Sequence, residues 1–161
     1  MNASRNSVPM AIFVAGLVAG TVDIGAAATI YRTSPVNILH AVASGVLGPA
    51  SFHGRVPTAL LGLVLQWAMS ILIAAIYVGV LRRVAAFRLP WIPAGVIYGV
   101  LVFVVMNYAV LPLSRTFADH HLPHFTFATF GANLLAMIVF GLIVAFIARK
   151  VVGERSAIAR A

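Results

Sequence analysis

The chain has 161 residues, of which 62% are hydrophobic and 9% charged, with a mean hydropathy of +1.05 and a net charge of +8. A soluble domain is nearer half apolar and a quarter charged, so a soluble fold is excluded. Cysteine is absent, which removes disulfides, thiolate metal sites and cysteine nucleophiles.

Residues 1–9 are short and polar and carry Arg5. Residues 10–31 form the first apolar run, long enough to span a bilayer core that needs about 20 helical residues. Arg32 ends it. A signal peptide cleaved near Ala26-Ala27-Ala28 is the rival reading. The apolar run continues through that site, and Asp23 and Gly25 belong to a helix-packing stripe, which favours a span. Asp23 is the only acidic residue inside any apolar run. A carboxylate in hydrocarbon costs several kcal/mol unless it is neutral, paired or wetted, so it marks a candidate site. Gly16 and Gly20 lie one turn apart beside it, a pattern that lets another helix approach closely.

Residues 34–52 are apolar but interrupted. Ser34-Pro35 is a good helix start. Asn37, His40, Ser44 and Ser51 then recur at helical spacing opposite Leu39, Val42, Val46 and Leu47, until Gly45, Gly48 and Pro49 break the pattern. Such a segment is too short to span, so residues 35–47 are expected as an amphipathic or re-entrant helix. Residues 57–81 are the second span, closed by Arg82-Arg83, with Gly62, Gln66 and Ser70 in a small-polar stripe and Trp67 mid-span. Residues 90–111 are the third, with Trp91 as interface anchor and Gly95, Gly99 and Asn107 along it, ended by Pro112. A polar connection, residues 113–127, leads to the fourth span, residues 128–148, with Asn133 near its start and Arg149-Lys150 after it.

The fold class expected is all-α: a polytopic membrane protein with four transmembrane helices and a short amphipathic or re-entrant helix between the first and second. It forms one integral membrane domain over residues 1–161. With the N-terminus inside, eight basic residues lie inside (Arg5, Arg82, Arg83, Arg88, Arg149, Lys150, Arg155, Arg160) and three outside (Arg32, Arg55, Arg115). That bias predicts cytoplasmic termini. The basic ends are topology anchors with anionic lipid as partner, and nucleic acid is not expected. Ala15-Gly16-x-x-x-Gly20 and Ala94-Gly95-x-x-x-Gly99 open the first and third spans alike, as parallel repeats would.

The same topology puts every histidine outside: His40 and His53 in one connection, His120, His121 and His124 in the other. The last three form a His-rich tract that could hold a metal ion or sense pH, with a solvated loop of histidines at headgroup level as the competing reading. A haem would want histidines inside the spans. No HExxH, P-loop, GxSxG or dinucleotide motif is present, so neither a cofactor nor an enzyme activity is expected and no catalytic residue is assigned.

At about 1.5 Å rise per residue, Asp23 and Gln66 both lie about 12 Å below the outer ends of their spans, and Asn107 and Asn133 about 8 Å. If these four side chains face one another they line an outward polar pocket, roofed by the 34–52 segment with His40 and Ser44. The competing reading makes Gln66, Asn107 and Asn133 interhelical glue.

Four stretches together, AGLVAGTVDIGAAATIY, ILHAVASGVLGP, LGLVLQWAMSILIAAIY and GVIYGVLVFVVMNYAVLPLS, resemble the YagU-like family of small bacterial inner-membrane proteins. The resemblance covers roughly residues 11–148 and implies a four-helix inner-membrane protein. It supplies no activity and no catalytic residues. Transport or binding of a small solute, proton or metal ion around Asp23 is the first expectation. A non-catalytic assembly or stress-response role through helix packing and lipid contact is the alternative. Four short spans leave little space for a full path in one chain, so a transporter of this size would form a homo-oligomer.

Overall fold

The computed structural model describes residues 7–83, 90–116 and 126–158, and the described residues are helical throughout apart from short turns. In chain order these are α1 (Ser7–Ile30), α2 (Pro35–Leu47), a 3-10 turn (Gly48–His53), α3 (Arg55–Arg83), α4 (Trp91–Leu113) and α5 (Phe127–Ile158). Four of them, α1, α3, α4 and α5, are long and apolar enough to cross a membrane. The protein is a multi-pass membrane protein built as a four-helix bundle.

Local chemistry sets the helix ends. The Tyr31 N–H reaches the Ala27 carbonyl at the end of α1, and the Thr33 N–H folds back to the Ala28 carbonyl at 3.0 Å. Arg32 sits between them in the left-handed region, with φ 50°, where a glycine is commoner. At the start of α2 the Ser34 hydroxyl accepts from the Asn37 N–H, and Pro35 needs no partner in the first turn. Gly48 closes α2 with φ 70°, a conformation that penalises any side chain.

Two helix contacts are set by glycine. A Cβ on Gly16 would lie 2.5 Å from the Ile71 backbone, and one on Gly20 would strike the Ser70 hydroxyl. In the second hairpin a Cβ on Gly95 would lie 2.9 Å from Leu142 Cα, and one on Gly99 2.6 Å from Ile138 Cα. Each pair of glycines thus seats one turn of its helix closely on a neighbour, α1 on α3 and α4 on α5. Gly141 on α5 faces Gly95 and Gly99 in return.

Helix α1 packs between α3 and α5, and α4 packs on the far side of α5. At mid-bundle α4 also reaches α3: the Tyr98 hydroxyl donates to the Ile73 carbonyl, and the Tyr77 and Tyr98 rings meet edge to face. Ala15, Ala19, Ala74, Tyr77, Tyr98, Val102, Phe140 and Val144 form the buried core around this contact. Toward α2 the two helices diverge, and α2 lies across the gap. The Leu39 carbonyl of α2 rests directly on Gly62 of α3.

The structure differs from the sequence reading at two helix ends. Pro112 does not stop α4 at once. The helix widens into a π-helical segment over Met106–Val110 and completes a last turn over Leu111–Leu113. Proline lacks an N–H and crowds the preceding turn. The wider turn accommodates that ring, with the Leu111 N–H bonded to the Met106 carbonyl five residues back. Helix α5 continues as far as Ile158, past the basic pair and through Gly153, with no proline to end it.

Candidate functional site

Close packing of α1 on α3 brings Asp23 and Gln66 together. The Gln66 Nε2 donates to Asp23 Oδ2 at 2.9 Å. One residue on, the Trp67 indole N–H donates to the Thr21 hydroxyl at 3.2 Å, which itself donates to the Leu17 carbonyl at 2.7 Å. Both bonds cross the same α1–α3 interface, so the rotation of each helix about its axis is pinned at this level. Gln66 is buried and Asp23 partly buried.

A cavity of about 650 Å³ opens beside Gln66. Its floor holds Gln66 and Met69 of α3 and Met106 and Val110 of the π-helical segment, and its roof is the Asn37–Ala41–Gly45 face of α2. Tyr31, Thr33, Ser114 and Thr116 stand at its rim. The lining is mostly apolar, with polar groups at the floor and the rim. The Ser114–Thr116 turn is stitched to α2: the Arg115 N–H donates to the Gly45 carbonyl at 3.0 Å, and the Ser44 and Thr116 hydroxyls meet at 3.0 Å. The Arg115 guanidinium reaches the Val46 carbonyl at 3.4 Å. Carbonyls at a helix C-terminus lack intrahelical partners and carry partial negative charge, so an arginine there suits both needs.

A second cavity of about 280 Å³ lies on the other side of Asp23, between α1 and α5. Ala19, Ala26, Ala132 and Ala136 leave the space, and Asp23 itself lines it. The Asp23–Gln66 pair therefore forms part of the wall between two cavities, with Gln66 facing one and Asp23 the other.

The remaining residues singled out in the sequence fall elsewhere. Asn107, within the π-helical segment, donates to the Phe103 carbonyl of its own helix at 2.9 Å. Asn133 donates to the Tyr31 hydroxyl at 3.0 Å and to the Thr129 carbonyl at 2.7 Å, so it touches the large cavity only through Tyr31. His40 does not roof the Asp23 pocket. It lies on another face of α2, buried, with its Nδ1 donating to the Ser51 carbonyl at 2.6 Å. At 3.6 residues per turn His40 projects about 100° from the middle of the Asn37–Ala41–Gly45 face, and it lines a separate groove with Arg55, Val56 and Leu60 of α3. His120, His121 and His124 lie outside the described residues, and among the described residues no three histidine or acidic side chains gather as a metal site would require. Gly16, Gly20, Gly95 and Gly99 are engaged inside the chain, which leaves an intermolecular role for them without support.

Tyr31, Thr33, Met69, Met106 and Thr116 border the cavity, and the sequence did not single them out. Asn37 stood in the polar stripe of α2, and that stripe was the one signal available. No family model matches the chain, and no curated protein or solved structure matches it either.

Proposed function

We propose that the protein binds and moves a small organic solute in the large cavity, with Asp23 as its proton-carrying centre. The observation that supports this most is the Gln66–Asp23 hydrogen bond in the wall between the two cavities. A carboxylate inside a membrane span is costly to keep for structure alone. The cavity volume of about 650 Å³ lies within the range of roughly 300–1,000 Å³ common for small-molecule sites. Its apolar lining favours an organic solute with one or two polar groups over a hydrated ion.

The pair offers a simple coupling. An ionised Asp23 only accepts, so it holds the Gln66 amide with Nε2 toward itself and Oε1 turned away. A protonated Asp23 donates to Oε1 instead, and the amide turns over. The cavity then meets N–H groups where it met a carbonyl. A proton on Asp23 and a solute beside Gln66 each bias the same side-chain flip, and such coupling is reciprocal.

The same reading places the protein in a bacterial inner membrane with both termini cytoplasmic and α2 outside, following the distribution of basic residues. It is non-enzymatic, belongs with the YagU-like proteins it resembles, and completes its path as a homo-oligomer. Proteoliposomes loaded with a pH-sensitive dye test the central claim. The wild-type protein should dissipate an imposed pH step, and Asp23→Asn should not, with its helix content and oligomer size unchanged. A fully active Asp23→Asn variant overturns the reading.

A further inference from the structure

A third concavity, of about 580 Å³, lies between α2 and α3 on the side away from the large cavity. Val36, Leu39, Val56 and Leu60 line its length, and His40 and Arg55 stand beside them. Val36, Val56 and Leu60 are all exposed. Arg55 is the first residue of α3 and of the apolar span that α3 contributes, so it sits where hydrocarbon gives way to headgroups. Its side chain is exposed, and no carboxylate among the described residues pairs with it. A helix N-terminus also carries partial positive charge.

His40 supplies a second, independent polar group. The residue is 8% exposed. A carbonyl can only accept, so the short contact to Ser51 places the proton on Nδ1. That leaves Nε2 without a partner among the described residues, on a ring that lines the groove.

We infer that this groove is a binding site for one anionic phospholipid, with its phosphate at Arg55 and one acyl chain laid along Val36, Leu39, Val56 and Leu60 between α2 and α3. Guanidinium groups match phosphate with paired hydrogen bonds. The apolar wall below the cation is what a lipid tail requires and a free phosphate does not. The lipid lies against α2 and α3 and shares no lining residue with the large cavity, so this site stands or falls independently of the proposed function.

The test uses the full chain in a neutral detergent, with phosphatidylglycerol added back and bound lipid counted by native mass spectrometry. Phosphatidylcholine, zwitterionic and of the same chain length, and inorganic phosphate are the comparison arms. The wild-type protein should retain phosphatidylglycerol in preference to phosphatidylcholine. Arg55→Gln should weaken phosphatidylglycerol binding about tenfold, the scale of one lost hydrogen bond to a charged group, and weaken phosphatidylcholine less, because the choline cation already offsets its phosphate. Ala59→Trp fills the groove while keeping the cation, and it too should remove the preference. Equal retention of the two lipids, an Arg55→Gln or Ala59→Trp protein that keeps the preference, or inorganic phosphate that displaces the lipid at equal concentration overturns the inference.

Discussion

Tyr98 of α4 donates its hydroxyl proton to the Ile73 carbonyl of α3 at 2.7 Å, with the Tyr77 ring edge-on to it at 4.8 Å. This contact ties α3 to α4 at mid-bundle, and the large cavity begins where the tie ends. Tyr98→Phe should lower unfolding stability by about 1 kcal/mol, the net value of one hydrogen bond. Tyr98→Ala, which also empties the core, should cost about 3 kcal/mol or more. Denaturant titration in mixed micelles reads both. Equal effects would mean that the hydroxyl, and not the ring, holds the helices.

Gly16 and Gly25 lie on the same helix in opposite surroundings. A Cβ on Gly16 meets the Ile71 backbone, while one on Gly25 meets nothing within 4 Å. Gly16→Ala should therefore destabilise the protein by about 1–3 kcal/mol as overpacking. Gly25→Ala should be neutral or stabilise it by up to about 1 kcal/mol through helix propensity. The same titration separates them.

Trp67 reports on Asp23, because its indole bonds Thr21 one residue along α3 from Gln66. In a Trp91→Phe background, the other tryptophan having been removed, its emission should change across a pH titration. Asp23→Asn should flatten that change and Gln66→Leu should shift its midpoint. Among the described residues no other carboxylate and no histidine lines either cavity, so an unchanged titration in Asp23→Asn would remove Asp23 as the responding group.

The absence of native cysteine makes the cavity directly measurable. Ala41→Cys and Ser114→Cys line it and should react with a water-soluble maleimide. Ala74→Cys, fully buried in the core, should stay unlabelled. Labelling that does not distinguish the three positions would argue against a wetted cavity.

Gly48 ends α2 at φ 70°. Gly48→Ala should cost about 1 kcal/mol or more in left-handed strain and loosen the cap from the Gly48 N–H to the Ser44 carbonyl. Hydrogen exchange should quicken in the last turn of α2 and leave α1 and α3 unchanged.

Much of the architecture was legible before any fold was known. Ser34-Pro35 marks the start of α2 through a side-chain cap that is local in the chain, and Gly48 marks its end for an equally local reason. The Gly16–Gly20 and Gly95–Gly99 spacings predict close helix contacts, because small residues one turn apart are a property of one helix alone. The wide turn before Pro112 was not legible. A proline signals that the ladder must change without saying whether the helix stops or widens, and its neighbours settle that.

The candidate site divides the same way. Counting residues from the basic and polar span ends put Asp23 and Gln66 at one depth, because rise per residue is fixed. Depth does not set rotation. Asn107 turns onto its own helix, Asn133 reaches Tyr31, and His40 falls on a different face of α2 from the cavity. What the sequence by itself determined is a membrane-spanning all-helical chain, with its spans, its caps and the single acid placed inside them, because hydropathy, capping and length act along one chain. Only the tertiary structure decided that Gln66 meets Asp23 in the wall between two cavities, because helix rotation and crossing are set by how residues far apart in the chain pack together.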